Sequence, residues 1–416
     1  MKIKIYYLLG WFFSILITIL WTYENPEKIQ YIKDKFNLYE PKNNFVEKTN
    51  SNTNKKIFET NHFKLELEKI IEIEGKTSFL LNNSINKEFN INDVTVFTQE
   101  GFAIKKDEVK KLKINKNFTD DYNGGLKTVF FVNNKIYGLT SSKQKDCYYA
   151  AIVNLSNRNE LFKSNCIPHP DSELIDFNGL GSSSIHLKNQ ILISIGTPTT
   201  LSNKIRNLAQ DKSSFFGKIL SLNKKNFMDK ELIPKIYSLG HRNPQGITKI
   251  KNAIFSVEHG PKGGDELNRI IENKNYGWPN VSYGTKYSFD EVGKSYLIGH
   301  ENNGFEEPIF AFVPSVGISS VNRCPSKLRD YYKKNCLIGL SLYGNNLRVG
   351  KSIILFLLDE NLEKIHSIEK IQLGNDYVLR HFMTNKKNEI FEDADGDIYI
   401  SSDNVGVLRI SFNNFR

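Results

Sequence analysis

Three loop segments within about forty residues carry most of the side chains able to do chemistry. They read Gly240-His-Arg-Asn-Pro-Gln-Gly246, Glu258-His-Gly-Pro-Lys-Gly-Gly-Asp-Glu-Leu-Asn268 and Asn275-Tyr-Gly-Trp-Pro279. Glycine and proline at this density let a loop turn its carbonyl oxygens inward, and Asp265, Glu266 and Asn268 add hard oxygen donors. Such a set suits Ca2+, which takes six to eight oxygens in flexible geometry. Arg242 has the planar fork that clamps a carboxylate through two parallel hydrogen bonds. Each loop taken singly reads as a glycine-rich turn with surface acids; three in succession argue against that. A further acidic run, Asp393-Ala-Asp395-Gly-Asp397, places its glycine fourth where an EF-hand needs it sixth, and so predicts a hairpin turn.

Loops of this kind need a rigid frame. From Phe58 onward short β-like runs alternate with turn residues, and amphipathic helical patterns are scarce. One run recurs, a turn residue followed by a short apolar strand ending in small or polar residues. It appears at Asn134, Asn189, Asn252, Asn335 and Gly396, at intervals of 55, 63, 83 and 61 residues. The unit is therefore about 60 residues with an insertion in the fourth copy, and the chain after residue 57 holds six. A sheet that cannot bury both faces alone, repeated radially, predicts an all-β fold, a six-bladed β-propeller. A β-sandwich pair would need closer and more regular turn signals.

Composition agrees. Of 416 residues 39% are apolar and 25% charged, which excludes disordered and collagen-like chains. The net charge of +10 comes from lysines scattered among acids and amides rather than gathered into a stripe. It reads as solvated surface, with no nucleic-acid footprint.

The N-terminus opens with Met1-Lys2-Ile3-Lys4 and a charge-free run from Ile5 to Trp21. As a helix that run is about 25 Å long, close to the thickness of a bilayer core. It leaves through bulky aromatic residues with no small-x-small cleavage site, so an uncleaved transmembrane signal anchor over residues 1–23 is expected. Lys2 and Lys4 would keep the N-terminus cytoplasmic and place the rest on the periplasmic face of the inner membrane, or outside the cell if the segment is cleaved. Residues 24–57, polar and proline-containing, read as a tether, and 58–416 as the propeller. The four cysteines fall as two sequence-local pairs, Cys147 with Cys166 and Cys324 with Cys336, matching no C-x-x-C pattern. Two disulfides suit an oxidising compartment; four buried thiols are the competing expectation.

The runs GHRNPQG, EHGPKGGDELN and NYGWPNVSYG resemble, in order and spacing, signatures of the soluble quinoprotein glucose dehydrogenases and PQQ-dependent aldose sugar dehydrogenases. Weaker similarity covers most of the chain beyond Asn123. The resemblance implies a six-bladed propeller that oxidises a sugar at its C1 hydroxyl, with hydride passing to pyrroloquinoline quinone (PQQ) and then to an external electron acceptor. It implies that Arg242 and Asn243 form the cofactor face, together with Asn123 and Ser315. Gly260 and Pro261 match carbonyl ligands of an active-site Ca2+, and Glu266 and Tyr276 match ligands of a second Ca2+.

The other half of the family pocket departs from pattern. The catalytic histidine position falls on Asn178, or on Asp176 with a two-residue shift. The family's channel lysine falls near Tyr343, its aromatic wall on Val313, and its late-blade arginines on Lys386 and Asn388. Asn accepts no proton usefully near neutral pH, so proton abstraction is left to Asp176, to a nearby histidine such as His169, or to water. His186 reads as half-buried filler, and His241 and His259 as supports for the loops. Two functions follow: a membrane-anchored PQQ-dependent sugar dehydrogenase with an altered base, or a propeller that binds a saccharide, cofactor or protein partner without turnover.

Overall fold

The computed structural model describes residues 48–49 and 55–416, apart from 85–86, 107, 146, 169–174, 201, 229–230, 287–295, 343–350, 375 and 404. The expected anchor, His169 and Tyr343 lie outside the described residues. Among those described, no helix is long and apolar enough to cross a membrane.

Among the described residues the strands form one ten-stranded sheet, one five-stranded sheet, three four-stranded sheets and a two-stranded pair; divided at its one parallel pairing, the ten-stranded sheet supplies two blades, which makes six blades built on four antiparallel strands each. Their inner strands are Thr77–Asn82, Leu126–Val132, Ser184–His186, Pro244–Ile250, Ile318–Arg323 and Leu379–Thr384, in blades 1 to 6. The recurring apolar run is the second strand of blades 2 to 6, namely Lys135–Gln144, Gln190–Ile195, Ala253–Glu258, Asn335–Ser341 and Ile398–Ser402. Blade 1 uses Val94–Thr98 there and lacks the run. The 83-residue interval arises in blade 4, where residues 271–309 intervene between its third strand, Asp265–Ile270, and its fourth, Phe310–Phe312.

Burial follows the strand period. Alternate side chains leave opposite faces of each sheet, so each blade needs a neighbour on both sides. Apolar clusters accordingly sit between blades: Phe130, Tyr148, Phe177 and Phe216 between blades 2 and 3, and Phe255, Leu267, Ile318 and Phe356 between blades 4 and 5. A fully buried Phe of this kind contributes about 1.5–3 kcal/mol relative to an exposed one.

The ring is closed by the N-terminal part of the chain. Lys64–Ile71 pairs antiparallel with Gly406–Asn413, the third strand of blade 6, with Leu67 opposite Ile410. Leu65 and Leu67 are buried between the more exposed Glu66 and Glu68, the alternation that a one-sided outer strand requires. Inner strands of blades 6 and 1 then meet in parallel, Met383 beside Leu80. The tether expected to residue 57 ends sooner: Lys55–Glu59 is already a strand paired with Lys64–Ile71, because Phe58 is buried and Lys56 binds Asp376 at 2.9 Å.

Both expected disulfides are present, and no described cysteine is free. Cys324–Cys336 clips the helix Ser326–Tyr332 between two strands of blade 5. The run from Asp393 to Asp397 is a turn, with Gly396 N–H donating to the Asp393 carbonyl.

Candidate functional site

Arg242 stands in the crossing from the outer strand of blade 3, Lys235–Leu239, to the inner strand of blade 4. Gly240 makes this crossing possible. Its φ is +79°, and a Cβ there would collide with Asn275 and Gly277. The Arg242 carbonyl accepts from Thr197 N–H at 2.8 Å and Thr197 Oγ1 at 3.0 Å, while its own N–H donates to Glu258 Oε2 at 2.8 Å. With the backbone held on both sides, the guanidinium donates to the His259 carbonyl at 2.8 Å and lies 5.3 Å from the Trp278 ring centroid, a cation–π contact. Asn243 beside it accepts from Gly181 N–H at 2.9 Å and from Gln245 at 2.7 Å.

Beneath Arg242 lies a buried polar network. Glu258 Oε1 accepts from Asn268 Nδ2 at 2.7 Å and lies 3.1 Å from His241 Nδ1, whose other ring nitrogen is 2.8 Å from Ser238 Oγ. His241 stacks on Tyr276 at 4.7 Å between centroids. Burial alone would push the Glu258 carboxyl up, but His241, the Arg242 N–H and Asn268 together hold it below the usual carboxylate range. Glu266 is the opposite case. Burial first, then the charge of Glu258, raises it well above that range, and Asn268, donating at 3.1 Å, offsets only part.

Gly260, Pro261, Glu266 and Tyr276, the four residues matched to Ca2+ ligands, line one small cavity together with Arg242 and Glu258. It holds about 10 Å³, room for one water-sized species. Only glycine fits at 260, since a Cβ would meet the carbonyls of Gly263 and Gly264. Among the described residues no hydrogen bond reaches the carbonyl of Gly260, Pro261 or Tyr276. The Tyr276 hydroxyl, by contrast, donates to the Arg269 carbonyl and accepts from Ile271 N–H at 2.9 Å. Asp265, named among the oxygen donors, is a brace instead: one oxygen accepts from Gly260 N–H at 3.1 Å, the other from Val316, Gly317 and Ile318 N–H. No group of three or more His, Cys, Asp or Glu side chains able to hold a metal occurs among the described residues.

The other half of the site is assembled from separate blades. Asp176 caps the turn Phe177–Gly179 by accepting from Asn178 N–H at 2.8 Å, and it also accepts from Asn178 Nδ2 at 3.3 Å and Asn123 Nδ2 at 3.2 Å. Asn123 Oδ1 in turn accepts from Lys76 at 3.3 Å, and its carbonyl from Lys127 Nζ at 2.7 Å. Three of the sequence candidates, Asn123, Asp176 and Asn178, therefore form one hydrogen-bonded group with two lysines that sequence reasoning missed.

Lys386 does not join it. The inner strand of blade 6 is Leu379–Thr384, so Lys386 lies in the exposed turn beyond its far end, about 20 Å along the strand from its start. Asn388 in that turn bonds to the Ser184 carbonyl. Arg380 occupies the near end, paired through both Nε and Nη2 with Asp403. Its charge lowers the pKa of both Lys127 and His259, so it reaches both halves of the site. The missing signal was positional: Asn123, Arg242, Asn243 and Ser315 all precede or open an inner strand, and the same rule would have selected residue 380. Ser315 is part-buried and its Oγ has no hydrogen-bond partner among the described residues; the same holds for His259 Nε2 and Trp278 Nε1. Val313 is 65% exposed.

The family model for glucose / sorbosone dehydrogenases matches residues 104–409. The chain belongs to that family. The matched span runs through all the site residues named above except Lys76. Among relatives, this glucose / sorbosone dehydrogenase homologue is 33% identical over 162 residues to the aldose sugar dehydrogenase YliI of Escherichia coli, covering 36% of this chain and 42% of that protein. It is 40% identical over 80 residues to quinoprotein glucose dehydrogenase B of Acinetobacter calcoaceticus, covering 18% and 17%. The alignments thus span less than half the length of either relative. In fold it is similar to the soluble aldose sugar dehydrogenase of Escherichia coli in its apo form, with a TM-score of 0.62 and 21% identity over 83% of this chain and 99% of that one.

Proposed function

We propose that this chain is a PQQ-dependent aldose sugar dehydrogenase that oxidises the C1 hydroxyl of a sugar and passes the electrons on to an external acceptor. The observation that carries this reading is Arg242, a buried cation fixed by the His259 carbonyl and the Trp278 face, beside a cavity walled by the unbonded carbonyls of Gly260 and Pro261. The surroundings fit a small polyanionic quinone. Arg242 and the buried, unpartnered donors of Trp278, His259 and Ser315 offer hydrogen bonds to its oxygens, with Asn243 and Asn123 beside them. PQQ when bound supplies the two-electron acceptor; the chain's part is to orient it, to keep a positive charge at Arg242 where negative charge develops, and to take the hydroxyl proton.

A cation held by the Gly260 and Pro261 carbonyls, with the Glu266 carboxylate and the Tyr276 carbonyl within the same cavity wall, completes the proposal. Calcium is expected to raise Tm, and Mg2+ less so, because Mg2+ demands a tighter octahedron. The pKa of Glu266 is raised in the folded chain, so its favourable neutral form is fully present below about pH 4.5 and is lost as pH rises through the elevated value. The calcium increment should therefore be larger at pH 8 than at pH 5. A melting curve unmoved by excess chelator and by Ca2+ at both pH values would remove the cation.

A specific observation supports the second reading, a binding propeller without turnover: Asp176 and Asn178, which stand where the family places its catalytic histidine, are bonded to each other and to Asn123. Absorbance spectra of the protein reconstituted with PQQ and Ca2+, before and after a panel of aldoses, decide between them. Appearance of reduced-quinone absorbance supports the enzyme; its complete absence supports the binding module. Attachment to the periplasmic face of the membrane through residues 1–23 belongs to the same proposal.

A further inference from the structure

We propose, on the basis of the dehydrogenase reading above, that Lys127 is the catalytic base, taking the C1 hydroxyl proton that a histidine takes elsewhere in the family. The residue is second in the inner strand of blade 2, between the buried Leu126 and Thr128, and is itself only part-buried. The turn before it is tightly shaped. Tyr122 and Asn123 are both left-handed, with φ of 51° and 60°, and Gly125 has a φ of +107° where a Cβ would meet the Gln99 carbonyl. This folding brings the Asn123 carbonyl back over its own strand to accept from Lys127 Nζ at 2.7 Å.

The groups that act on Lys127 come from four parts of the ring: Lys76 before blade 1, Asn123 before blade 2, Asp176 before blade 3 and Arg380 in blade 6. Only the axial end of a propeller is reached from so many blades at once, so the amine sits at the mouth with Asn123, Asp176 and Arg380.

A second lysine shows what a structural amine looks like here. Lys218, fully buried, donates to the carbonyls of Leu208, Ala209 and Phe216 at 2.8–2.9 Å, so all three of its N–H groups are used. Lys127 makes one hydrogen bond among the described residues and no ion pair within 4.0 Å with a described carboxylate. Its two remaining positions are open to a ligand. The charged groups around it are Asp176, which favours the ammonium, and Arg380 and Lys76, which oppose it; Asp403 neutralises part of Arg380, and His381 beside Arg380 is part-buried, with desolvation lowering its pKa to about 3. Desolvation of the amine by the packed groups around it is the largest effect, although the side chain as a whole is only part-buried, and the pKa of Lys127 falls to about 7. A neutral amine is thus available near neutral pH.

With PQQ bound, the quinone would supply the two-electron acceptor, and the hydrogen at C1 would leave for it as hydride, carrying both electrons of the C1–H bond. The O–H bond breaks with its proton passing to neutral Lys127 Nζ, and C1 and its oxygen close to a lactone carbonyl. The ammonium then releases its proton to solvent.

Two experiments test the assignment. In the first, lysines of the cofactor-free protein are 13C-dimethylated and followed by NMR against pH. One resonance titrating near pH 7 and missing from Lys127→Gln is expected; if no resonance lost in that variant titrates below pH 9, the assignment is overturned whatever the enzyme does. In the second, reduction of reconstituted PQQ by an aldose is followed by stopped flow from pH 5.5 to 9. The wild-type rate should rise through about pH 7, and Lys127→Gln should lose about 10²-fold or more together with that inflection. Lys127→Arg keeps the charge and packing but cannot act as a base, so it should be equally slow. Full activity in Lys127→Arg, or an unchanged rate and profile in Lys127→Gln, overturns the base while leaving the sugar dehydrogenase reading intact. Failure of the wild type to reduce PQQ with any aldose instead overturns that reading and this assignment with it.

Discussion

Replacing Arg242 with alanine is expected to slow reduction of reconstituted PQQ by an aldose by about 10²-fold or more, the scale seen when one donor to a developing oxyanion is removed. The backbone of residue 242 is tied to Thr197 and Glu258 through main-chain atoms that alanine retains, so the crossing between blades 3 and 4 should stay in place. What is lost is the guanidinium, with its bond to the His259 carbonyl and its place over Trp278. Stopped-flow absorbance gives the rate, and equilibrium titration of PQQ gives the affinity. A charge that stabilises the reduced cofactor more than the oxidised one makes the rate fall further than the affinity. Equal losses in both would assign Arg242 to binding alone.

Truncating Glu258 to alanine should cost about 3–5 kcal/mol of stability, because three buried donors lose their acceptor together. They are the Arg242 N–H, Asn268 Nδ2, which keeps only its longer bond to Glu266, and the His241 ring. The pH dependence has a definite sign. With its pKa held below the ordinary value near 4.5, Glu258 contributes stability that is present above that pH and lost as pH falls through the lower, folded value. Denaturant melts from pH 7 to pH 3 should therefore show an acid loss in the wild type that is smaller in Glu258→Gln. The same variant keeps the side chain's size and so separates the charge from the packing. An Ala variant as stable as the wild type would show that the network beneath Arg242 is incidental to the fold.

Much of this molecule is legible without coordinates. The recurring run of about 60 residues marks the second strand of five blades, since a half-apolar strand after a turn residue must bury both faces between neighbours. The cysteine pairs are separated by 19 and 12 residues, and each closes a connection next to a single blade. The loops of blade 4 are legible for the same reason: Arg242, Glu258, Gly260, Glu266 and Tyr276 are within 35 positions of one another, and they meet around one cavity because a single blade and its entry loop carry them all.

Tertiary structure decided the rest. Lys64–Ile71 looks like any amphipathic strand until it is seen as the outer edge of the last blade, a pairing with residues more than three hundred positions away that no local period encodes. Glu266 and Asp265 are adjacent acids of like chemistry in the sequence. In the fold one faces a cavity beside a second carboxylate and the other is bound by four backbone N–H groups, because neighbouring residues on a strand leave opposite faces. Lys386 and Arg380 exchange places for a related reason: where the inner strand of blade 6 begins is set by its register against Ile398–Ser402, and six residues move a side chain from one end of the channel to the other. Lys127 follows the candidate Asn123 by four positions, but nothing in that stretch marks the lysine itself. Its surroundings exist only once the ring has closed, when Lys76, Asp176 and Arg380 are brought to one end of the axis, near enough for their charges to act on it.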